Sequence, residues 1–151
     1  MNDSRKLEPI RETMLVNAAI DTVWRVLTSE ETVPQWLGCL HYSAEVGAVF
    51  YMQQNSAKAA VKDISGATHC EVLALEAPTH FHFSWFLPGT PATQVDFRLR
   101  AVTESQTEVS FEHDGWDQFP SDLIGQIREA LMGGWISAVL PKLKQVSERS
   151  A

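Results

Sequence analysis

Apolar residues change their spacing along the chain, and each spacing predicts a different element. Alternation over residues 10–17 predicts a first strand. Apolar residues then recur three and four positions apart, which predicts a short helix that begins at Ile20. Ser29 is a candidate N-cap for a second short helix that runs towards Trp36, and Pro34 limits the length of that helix.

From Ala44 onwards the period changes to two, and turn residues divide the chain into strands. The predicted strands are residues 46–54, 68–75, 80–86, 93–102 and 107–113. The turn at residues 76–79 joins the second and third of these as a hairpin. A tight hairpin gives the two strands one apolar face, on which Cys70, Val72 and Ala74 lie opposite Trp85, Phe83 and Phe81. On the other face, Glu71, Leu73 and Leu75 lie opposite Ser84, His82 and His80.

The next hairpin shows an inner and an outer face most clearly. Along residues 93–102, apolar side chains alternate strictly with polar or charged ones, which is typical of a sheet with one face in water. Its partner strand, residues 107–113, turns Val109, Phe111 and His113 inward. Opposite charges can then pair across the outer face.

The last element is a long helix, predicted to begin at a cap formed by Ser121 or Asp122. One stripe of this helix carries Leu123, Ile127, Ala130, Leu131, Gly134, Ala138 and Val139. A sheet with one apolar face, together with one long amphipathic helix that covers it, predicts an α+β fold. The two short helices follow the first strand.

Three residues of the last helix disfavour helical structure. Gly133 and Gly134 each cost about 1 kcal/mol relative to alanine, and Pro141 costs roughly 3 kcal/mol in a helix interior. Packing is one explanation of the glycines, since Gly134 would let the helix approach the sheet closely. Pro141 removes one backbone donor and is expected to bend the helix near Ser137.

Composition and charge limit the functions open to the chain. Its 151 residues are 44% hydrophobic and 21% charged, which is typical of one globular domain, here with a core at about residues 9–146 and frayed ends. A formal net charge of -7 opposes binding to nucleic acid or anionic lipid. The sequence has neither an apolar run long enough to span a membrane nor a secretory leader, so a cytoplasmic location is expected.

The sequence contains none of the common motifs for catalysis, and no catalytic residue is predicted. It has no Gly-x-Ser-x-Gly elbow, no phosphate-binding glycine loop and no His-Glu-x-x-His. Cys39 and Cys70 are expected to be free thiols, since two cysteines do not make a disulfide framework. His80 and His82 share a face, but Leu73 and Leu75, their expected neighbours in the hairpin, supply no third ligand. We therefore predict no metal and no cofactor.

Four phrases carry a resemblance to a known family and together span almost the whole chain. They are VNAAIDTVWRVLTSEETVPQWLG at 16–38, FHFSWF at 81–86, TEVSFEHDGW at 107–116 and GGWISAVLPKLK at 133–144. The chain resembles the START-like or SRPBCC superfamily, and most nearly the homologues of the activator of heat-shock protein ninety ATPase. This resemblance implies a helix-grip fold, in which a curved antiparallel sheet wraps around a long C-terminal helix.

The resemblance also implies a cavity between the sheet and the last helix, of the kind that binds apolar small molecules in many relatives. Small residues at Gly133 and Gly134 would then leave space for a ligand, which is the second explanation of the glycine pair. Trp36 and Trp116 stand at element ends, where they belong either to the rim of such a pocket or to the core. The predicted lining residues are Trp36, Phe50, Met52, Phe83, Trp85, Phe97, Phe111, His113, Trp116, Leu131, Trp135 and Val139.

His113 is the ionisable residue that strand parity turns into this interior. Burial disfavours a charged imidazole, so His113 is a hydrogen-bonded structural residue, a polar anchor for a ligand or a general base. Three functions stay open, in this order: binding of a hydrophobic or lipid-like small molecule, an enzyme of the polyketide cyclase type, and a co-chaperone that binds the chaperone. Outward-facing Leu73, Leu75 and Phe86 also indicate a candidate homodimer surface.

Overall fold

Six antiparallel strands form one curved sheet in the part of the chain that the structure describes. The structure is a computed structural model, and it describes residues 9–53, 55–86, 91–116, 129 and 133–151. The strands are β1 (Ile10–Val16), β2 (Val49–Met52), β3 (Thr68–Glu76), β4 (His80–Trp85), β5 (Thr93–Thr103) and β6 (Gln106–Asp114). Their order across the sheet is β1-β6-β5-β4-β3-β2, so β4 and β5 lie in the middle.

Three helices join these strands, and a C-terminal helix follows them. The first three are α1 (Ile20–Thr28), α2 (Val33–Leu37) and α3 (Ser56–Ala60). The C-terminal helix consists of a π-helical turn at Trp135–Val139 and α4 (Leu140–Arg149). This arrangement confirms the predicted α+β, helix-grip architecture. Among the described helices, none combines the length and the apolar character that a membrane crossing requires.

The core lies between the inner face of the sheet and the helices. Alternate residues of β4, β5 and β6 supply its aromatic and aliphatic side chains. The buried inner residues of these strands are Phe81, Phe83 and Trp85; Val95, Phe97 and Leu99; and Val109, Phe111 and His113. Full burial of one such apolar side chain contributes about 1.5–3 kcal/mol, so the alternation fixes which face of each strand turns inward.

The β3–β4 hairpin departs from the predicted register. Val72 lies opposite Phe83 as expected, but Ala74 lies opposite His82 and Leu75 opposite Phe81. Between the two pairs, β3 advances by two residues and β4 by one, so Leu73 is an extra residue that forms a bulge. The prediction for Ala74 and Leu75 is therefore wrong, because the bulge exchanges the faces beyond it. Leu75 packs against the core, whereas Leu73 is exposed.

The same shift changes the candidate homodimer surface. Leu75 no longer faces outward, and Phe86, which pairs with His69 through an isolated bridge, is only half-exposed. Of the three predicted surface residues, Leu73 is the exposed one, with a relative solvent exposure of 41%. A homodimer stays a prediction.

The predicted cap of the second helix is confirmed in part: Ser29 Oγ accepts from the Thr32 amide at 3.3 Å, but α2 itself begins only at Val33. Ser29 ends α1, and Thr32 stands at the N-cap position of α2. The Thr32 hydroxyl donates to the Val26 carbonyl oxygen at 2.7 Å, so it satisfies the end of α1 rather than capping α2 with its side chain. Pro34 lies in the first turn of α2, where its missing N–H costs no hydrogen bond.

Two further boundaries differ from the sequence prediction. The strand predicted at residues 46–54 is limited to Val49–Met52. The helix α3 was not predicted, although Asn55 is a standard N-cap whose side chain accepts from the Lys58 amide at 3.0 Å.

Part of the predicted last helix lies outside the described residues. This part contains the predicted caps, Ser121 and Asp122, and the stripe residues Leu123, Ile127, Ala130 and Leu131.

The C-terminal helix accommodates Pro141 by widening the turn before it. The Leu140 amide donates to the Trp135 carbonyl oxygen, five residues back, as in a π-helix. An α-helix would press the Pro141 ring against the Ser137 carbonyl, and the wider turn removes that conflict. Pro141 then stands in the first turn of α4, where a proline is tolerated.

The proposed packing role of Gly134 is wrong. Gly134 and Ala138 are exposed, and a Cβ atom added to Gly133 or Gly134 would meet none of the described residues within 4 Å. The wider π-turn rotates the residues that follow it, so a stripe counted on one constant helical period does not stay on one face. Trp135, Leu140 and Leu143 face the core instead.

Candidate functional site

An aromatic cluster surrounds His113 on the inner face of the sheet. Trp85, Trp116 and Trp135 have ring centroids 5.6, 4.5 and 6.0 Å from the His113 ring. Trp85 and Trp135 also contact each other, with centroids 5.5 Å apart. We call His113, Trp85, Trp116 and Trp135 the histidine–tryptophan cluster; all four side chains are buried.

A local glycine brings Trp116 into this cluster. Gly115 has a φ of 102°, a conformation that other residues rarely adopt, and a Cβ atom there would lie 3.1 Å from Thr93 Cα. The tight approach turns the chain at the end of β6. The Trp116 indole N–H then donates to the His113 carbonyl oxygen at 2.9 Å.

Both ring nitrogens of His113 have partners within the protein. The Trp135 indole N–H donates to Nδ1 at 3.1 Å, and Nε2 lies 2.7 Å from Thr93 Oγ1. Because an indole N–H can only donate, Nδ1 is the acceptor and the proton is on Nε2. Nε2–H then donates to Thr93 Oγ1, whose hydroxyl donates to the Trp85 carbonyl oxygen at 2.7 Å.

Burial lowers the pKa of His113 to about 3, so the imidazole is neutral at physiological pH. Its side chain is fully enclosed, and each ring nitrogen already has a hydrogen-bond partner. These observations favour the structural interpretation of His113. A polar anchor or a general base would first have to exchange one of these partners.

The aromatic surface continues from the cluster along the sheet. Phe111 contacts Trp135 at 4.6 Å between centroids, and Phe97 contacts both Phe111 and Trp36, at 5.3 and 5.6 Å. Phe83 contacts Phe50 at 5.2 Å. The structure therefore brings together most of the predicted lining residues in one continuous, buried cluster of contacting rings on the inner face.

The remaining predicted lining residues have different positions. Trp36 and Trp116 are 3% and 1% exposed, so both belong to the core rather than to a rim. Met52 and Val139 are partly buried against the core. Leu131 lies outside the described residues. Trp36 also donates its indole N–H to the Val26 carbonyl oxygen at 2.9 Å, which ties α2 to α1.

Neither cysteine is a reactive thiol in this structure. Cys39 and Cys70 are free and buried, as the sequence predicted. Burial raises the pKa of Cys39 to about 12 and raises the pKa of Cys70 well above its ordinary value. Since the thiolate is the nucleophile, these cysteines belong to the core.

The outer face carries a cluster that the sequence analysis missed. His80, His82 and Asp96 have potential ligand atoms that all lie within 4.8 Å of one another. The expectation that no third ligand adjoins the two histidines is wrong, because it considered only the β3 neighbours of β4. Asp96 lies on β5, directly opposite His82. Aligning β4 with β5 by their alternation would have identified it.

A shallow groove also lies on the outer face, beside this cluster. It encloses about 200 Å³ and is lined by Arg11, Thr13, Asp96, Arg98, Ser110, Phe111 and Glu112. Arg11 donates to Glu112 at 2.8 Å along one wall. The charged and hydroxyl-bearing lining distinguishes this groove from the apolar inner face.

Comparisons with known proteins place the chain in a family. Its fold is similar to protein BH1534 of Bacillus halodurans, with 24% identity, coverage of 95% of this chain and 99% of that one, and a TM-score of 0.73. An Hsp90 activator from Plasmodium falciparum, PFC0360w, has 15% identity, coverage of 91% and 94%, and a TM-score of 0.69.

A third solved structure with a similar fold is DynU16, described as a putative protein in the dynemicin biosynthetic locus. It has 22% identity and a TM-score of 0.66, and the match covers 92% of this chain and 46% of that one. No curated protein matches the sequence. The model of the family described as Activator of Hsp90 ATPase homolog 1-like protein matches residues 17–148. The chain therefore belongs to the Activator of Hsp90 ATPase homolog 1-like family.

Proposed function

We propose that the protein binds a neutral, aromatic or otherwise apolar small molecule between the sheet and the C-terminal helix. The observation that carries this proposal is the continuous aromatic surface formed by the inner residues of β4, β5 and β6 around the histidine–tryptophan cluster. Aromatic and aliphatic walls with few polar groups are typical of small-molecule sites.

The charges of the interior favour a neutral ligand. None of the buried side chains in the described ranges belongs to Asp, Glu, Lys or Arg. A charged ligand would therefore lose its hydration without gaining an ionic partner there. An apolar ligand gains roughly 25 cal/mol for each Å² of apolar surface that leaves water.

The state of His113 favours binding over catalysis. A general base works best when its pKa lies near the operating pH, whereas burial lowers the pKa of His113 to about 3. Its two ring nitrogens hold Trp135 and Thr93 in place. We therefore infer that His113 positions the aromatic walls, and that ring faces rather than the imidazole contact the ligand.

The similarity to DynU16, whose description places it in a biosynthetic locus, supports a small molecule as the ligand. Thermal unfolding in the presence of the neutral probe N-phenylnaphthylamine and a panel of neutral polycyclic compounds tests the proposal. We expect saturable stabilisation by the probe and by part of the panel, since a ligand that binds only the folded state raises the melting temperature.

A matched pair of variants locates the site. Trp85→Leu removes an indole from the histidine–tryptophan cluster, whereas Trp24→Leu makes the same change on α1, where Trp24 is half-buried. Stabilisation by the probe is expected to persist in Trp24→Leu and to weaken at least severalfold in Trp85→Leu. Equal stabilisation of both variants, or none in the unaltered protein, would contradict the proposal.

A co-chaperone role is the second candidate, and the family match over residues 17–148 favours it. The match to the similar Hsp90 activator from Plasmodium falciparum covers 94% of that chain, so the similarity in fold extends over nearly all of it. Adding this protein to purified Hsp90 and measuring ATP hydrolysis tests this role. A dose-dependent rise supports it, and an unchanged rate without detectable binding rejects it.

A further inference from the structure

We propose that His80, His82 and Asp96 form a binding site for a divalent zinc-like metal ion on the outer face of the sheet. The site does not involve the inner aromatic surface and does not depend on the proposed ligand function. Two imidazoles and one carboxylate are ligands that zinc takes in proteins. We call these three residues the outer triad.

The strands bring the outer triad together without any irregular backbone. His80 and His82 are two residues apart on β4, so their side chains leave the same face. Asp96 on β5 is the direct cross-strand neighbour of His82. Because β4 and β5 are the two central strands, each of them pairs with a neighbouring strand on both sides.

Hydrogen bonds already direct one nitrogen of each histidine towards Asp96. His80 Nδ1 lies 3.1 Å from Glu76 Oε1, and His82 Nε2 lies 2.7 Å from Gln94 Oε1. With these nitrogens donating, His80 Nε2 and His82 Nδ1 face Asp96, and each offers a lone pair to a metal ion once it carries no proton. The first contacts Asp96 Oδ1, and the second lies 3.6 Å from the same oxygen.

This pattern is the support that metal-binding histidines usually have. A ligating imidazole commonly donates its other N–H to a carboxylate or carbonyl oxygen, which fixes the tautomer and the ring orientation. Glu76 and Gln94 supply those acceptors here. A metal ion would take the place of the proton in the contact between His80 Nε2 and Asp96 Oδ1.

Exposure and charge set the strength of the site. The side chains of His80, His82 and Asp96 are 14%, 28% and 18% exposed, so an ion can reach them while they stay ordered by their neighbours. Arg98 donates to Asp96 Oδ2 at 3.0 Å and adds one positive charge beside the site. That charge weakens binding, and the exposed carboxylate of Glu76 opposes its effect.

Three protein ligands leave one position of a tetrahedral ion for water. Magnesium and calcium prefer sites built from oxygen ligands, and the two imidazoles therefore select zinc or a similar transition metal over them. The outer triad fits a zinc ion with an open position. The adjacent outer groove supplies space next to that position.

Calorimetric titration of the full chain with zinc chloride, and visible absorption with cobalt(II), test the site. We expect one ion per chain and the intense absorption of four-coordinate cobalt. His82→Gln and Asp96→Asn each remove a ligand and should abolish measurable binding. Glu76→Ala keeps all three ligands but removes the acceptor that supports His80, and should weaken binding about 10-fold to 100-fold.

His41→Gln is the matched control, because His41 is exposed and lies outside the outer triad. It should leave zinc binding unchanged, while Arg98→Gln should tighten it. Circular dichroism of each variant establishes that it is folded, and magnesium chloride should give no binding. The proposal is overturned if the unaltered chain binds no zinc, or if folded His82→Gln and Asp96→Asn bind it as tightly as the unaltered chain.

Discussion

His113 on the inner face of the sheet and the histidines His80 and His82 on its outer face have opposite environments, although all three lie on strands with the same alternating pattern. His113 is enclosed by indole rings, and burial lowers its pKa to about 3. His80 and His82 stand on the outer face beside carboxylate and amide oxygens. Strand parity alone assigns each histidine to its side, but the neighbours decide its chemistry.

Hydrogen-bond partners make this difference concrete. His113 has an indole donor on one nitrogen and a hydroxyl acceptor on the other, so uncharged partners satisfy both nitrogens of the neutral ring. Each histidine of the outer triad has an acceptor on one nitrogen and faces a shared carboxylate with the other. The first arrangement stabilises a dry interior, and the second can exchange a proton for a metal ion.

The largest expected effect comes from removing the ring that covers His113. Trp135→Ala should lower the free energy of unfolding by about 3–5 kcal/mol, because it leaves a cavity beside Phe111 and Trp85. Urea unfolding measures the change. Trp135→Phe keeps much of the ring volume but leaves His113 Nδ1 without its donor, and should cost about 1–3 kcal/mol. A loss below 1 kcal/mol for Trp135→Ala would show that this contact is not part of the core.

The protonation of His113 gives the next largest effect. In the unfolded chain a histidine titrates near its ordinary pKa of about 6.5, and in the folded chain His113 titrates at about 3. Between these values the unfolded state binds the extra proton, so stability is full above pH 6.5 and falls by about 1.4 kcal/mol for each pH unit towards pH 3.

Comparison with His113→Gln isolates this contribution from the other titrating groups. The stability of the unaltered protein should decline more steeply with acid than that of the variant, as measured by urea unfolding at several pH values. Parallel curves for the two proteins would mean that His113 is accessible to protonation in the folded state.

A smaller gain is expected on the exposed side of the C-terminal helix. Gly134→Ala should raise the free energy of unfolding by about 0.5–1 kcal/mol, because the position is exposed and the new Cβ has no neighbour within 4 Å in the part of the chain that the structure describes. The same measurement on Gly133→Ala provides a second instance. Destabilisation by either change would restore a packing role for the glycine pair.

The smallest effect is expected for an ion pair on the outer face. Arg100 donates to Glu108 at 3.2 Å, and its side chain is 66% exposed. Water screens such a pair, so Arg100→Gln should change the free energy of unfolding by less than about 1 kcal/mol. A loss comparable with that of Trp135→Ala would show that outer charges, rather than inner rings, hold the sheet together.

The alternating pattern was sufficient to predict the inner faces of β4, β5 and β6, since one face of each strand is uniformly apolar. It failed at Leu73, where one extra residue exchanges the faces and leaves no mark in an otherwise apolar segment. It failed again at Ala138, which is exposed because it lies inside a π-turn that changes the angular step assumed by a periodic stripe. Both failures concern irregular geometry that a constant period cannot express.

The two candidate sites also differ in how much of each the sequence pattern predicts. The aromatic surface could be predicted, because its members share a face on sequentially adjacent strands. The partners of His113 could not, because Trp135 reaches it from a helix 22 residues further along the chain. Asp96 could have been predicted by aligning β4 with β5, since it lies opposite His82 on these two consecutive strands.

The proton–nitrogen correlation spectrum of the indole groups, recorded during titration with N-phenylnaphthylamine, tests the account most directly. The chain has five tryptophans, which provide one indole signal each. We predict saturable shifts for Trp85 and Trp135 and an unchanged signal for Trp24. Unchanged signals for all five at saturating probe, or a shift confined to Trp24, would contradict a ligand site on the inner face.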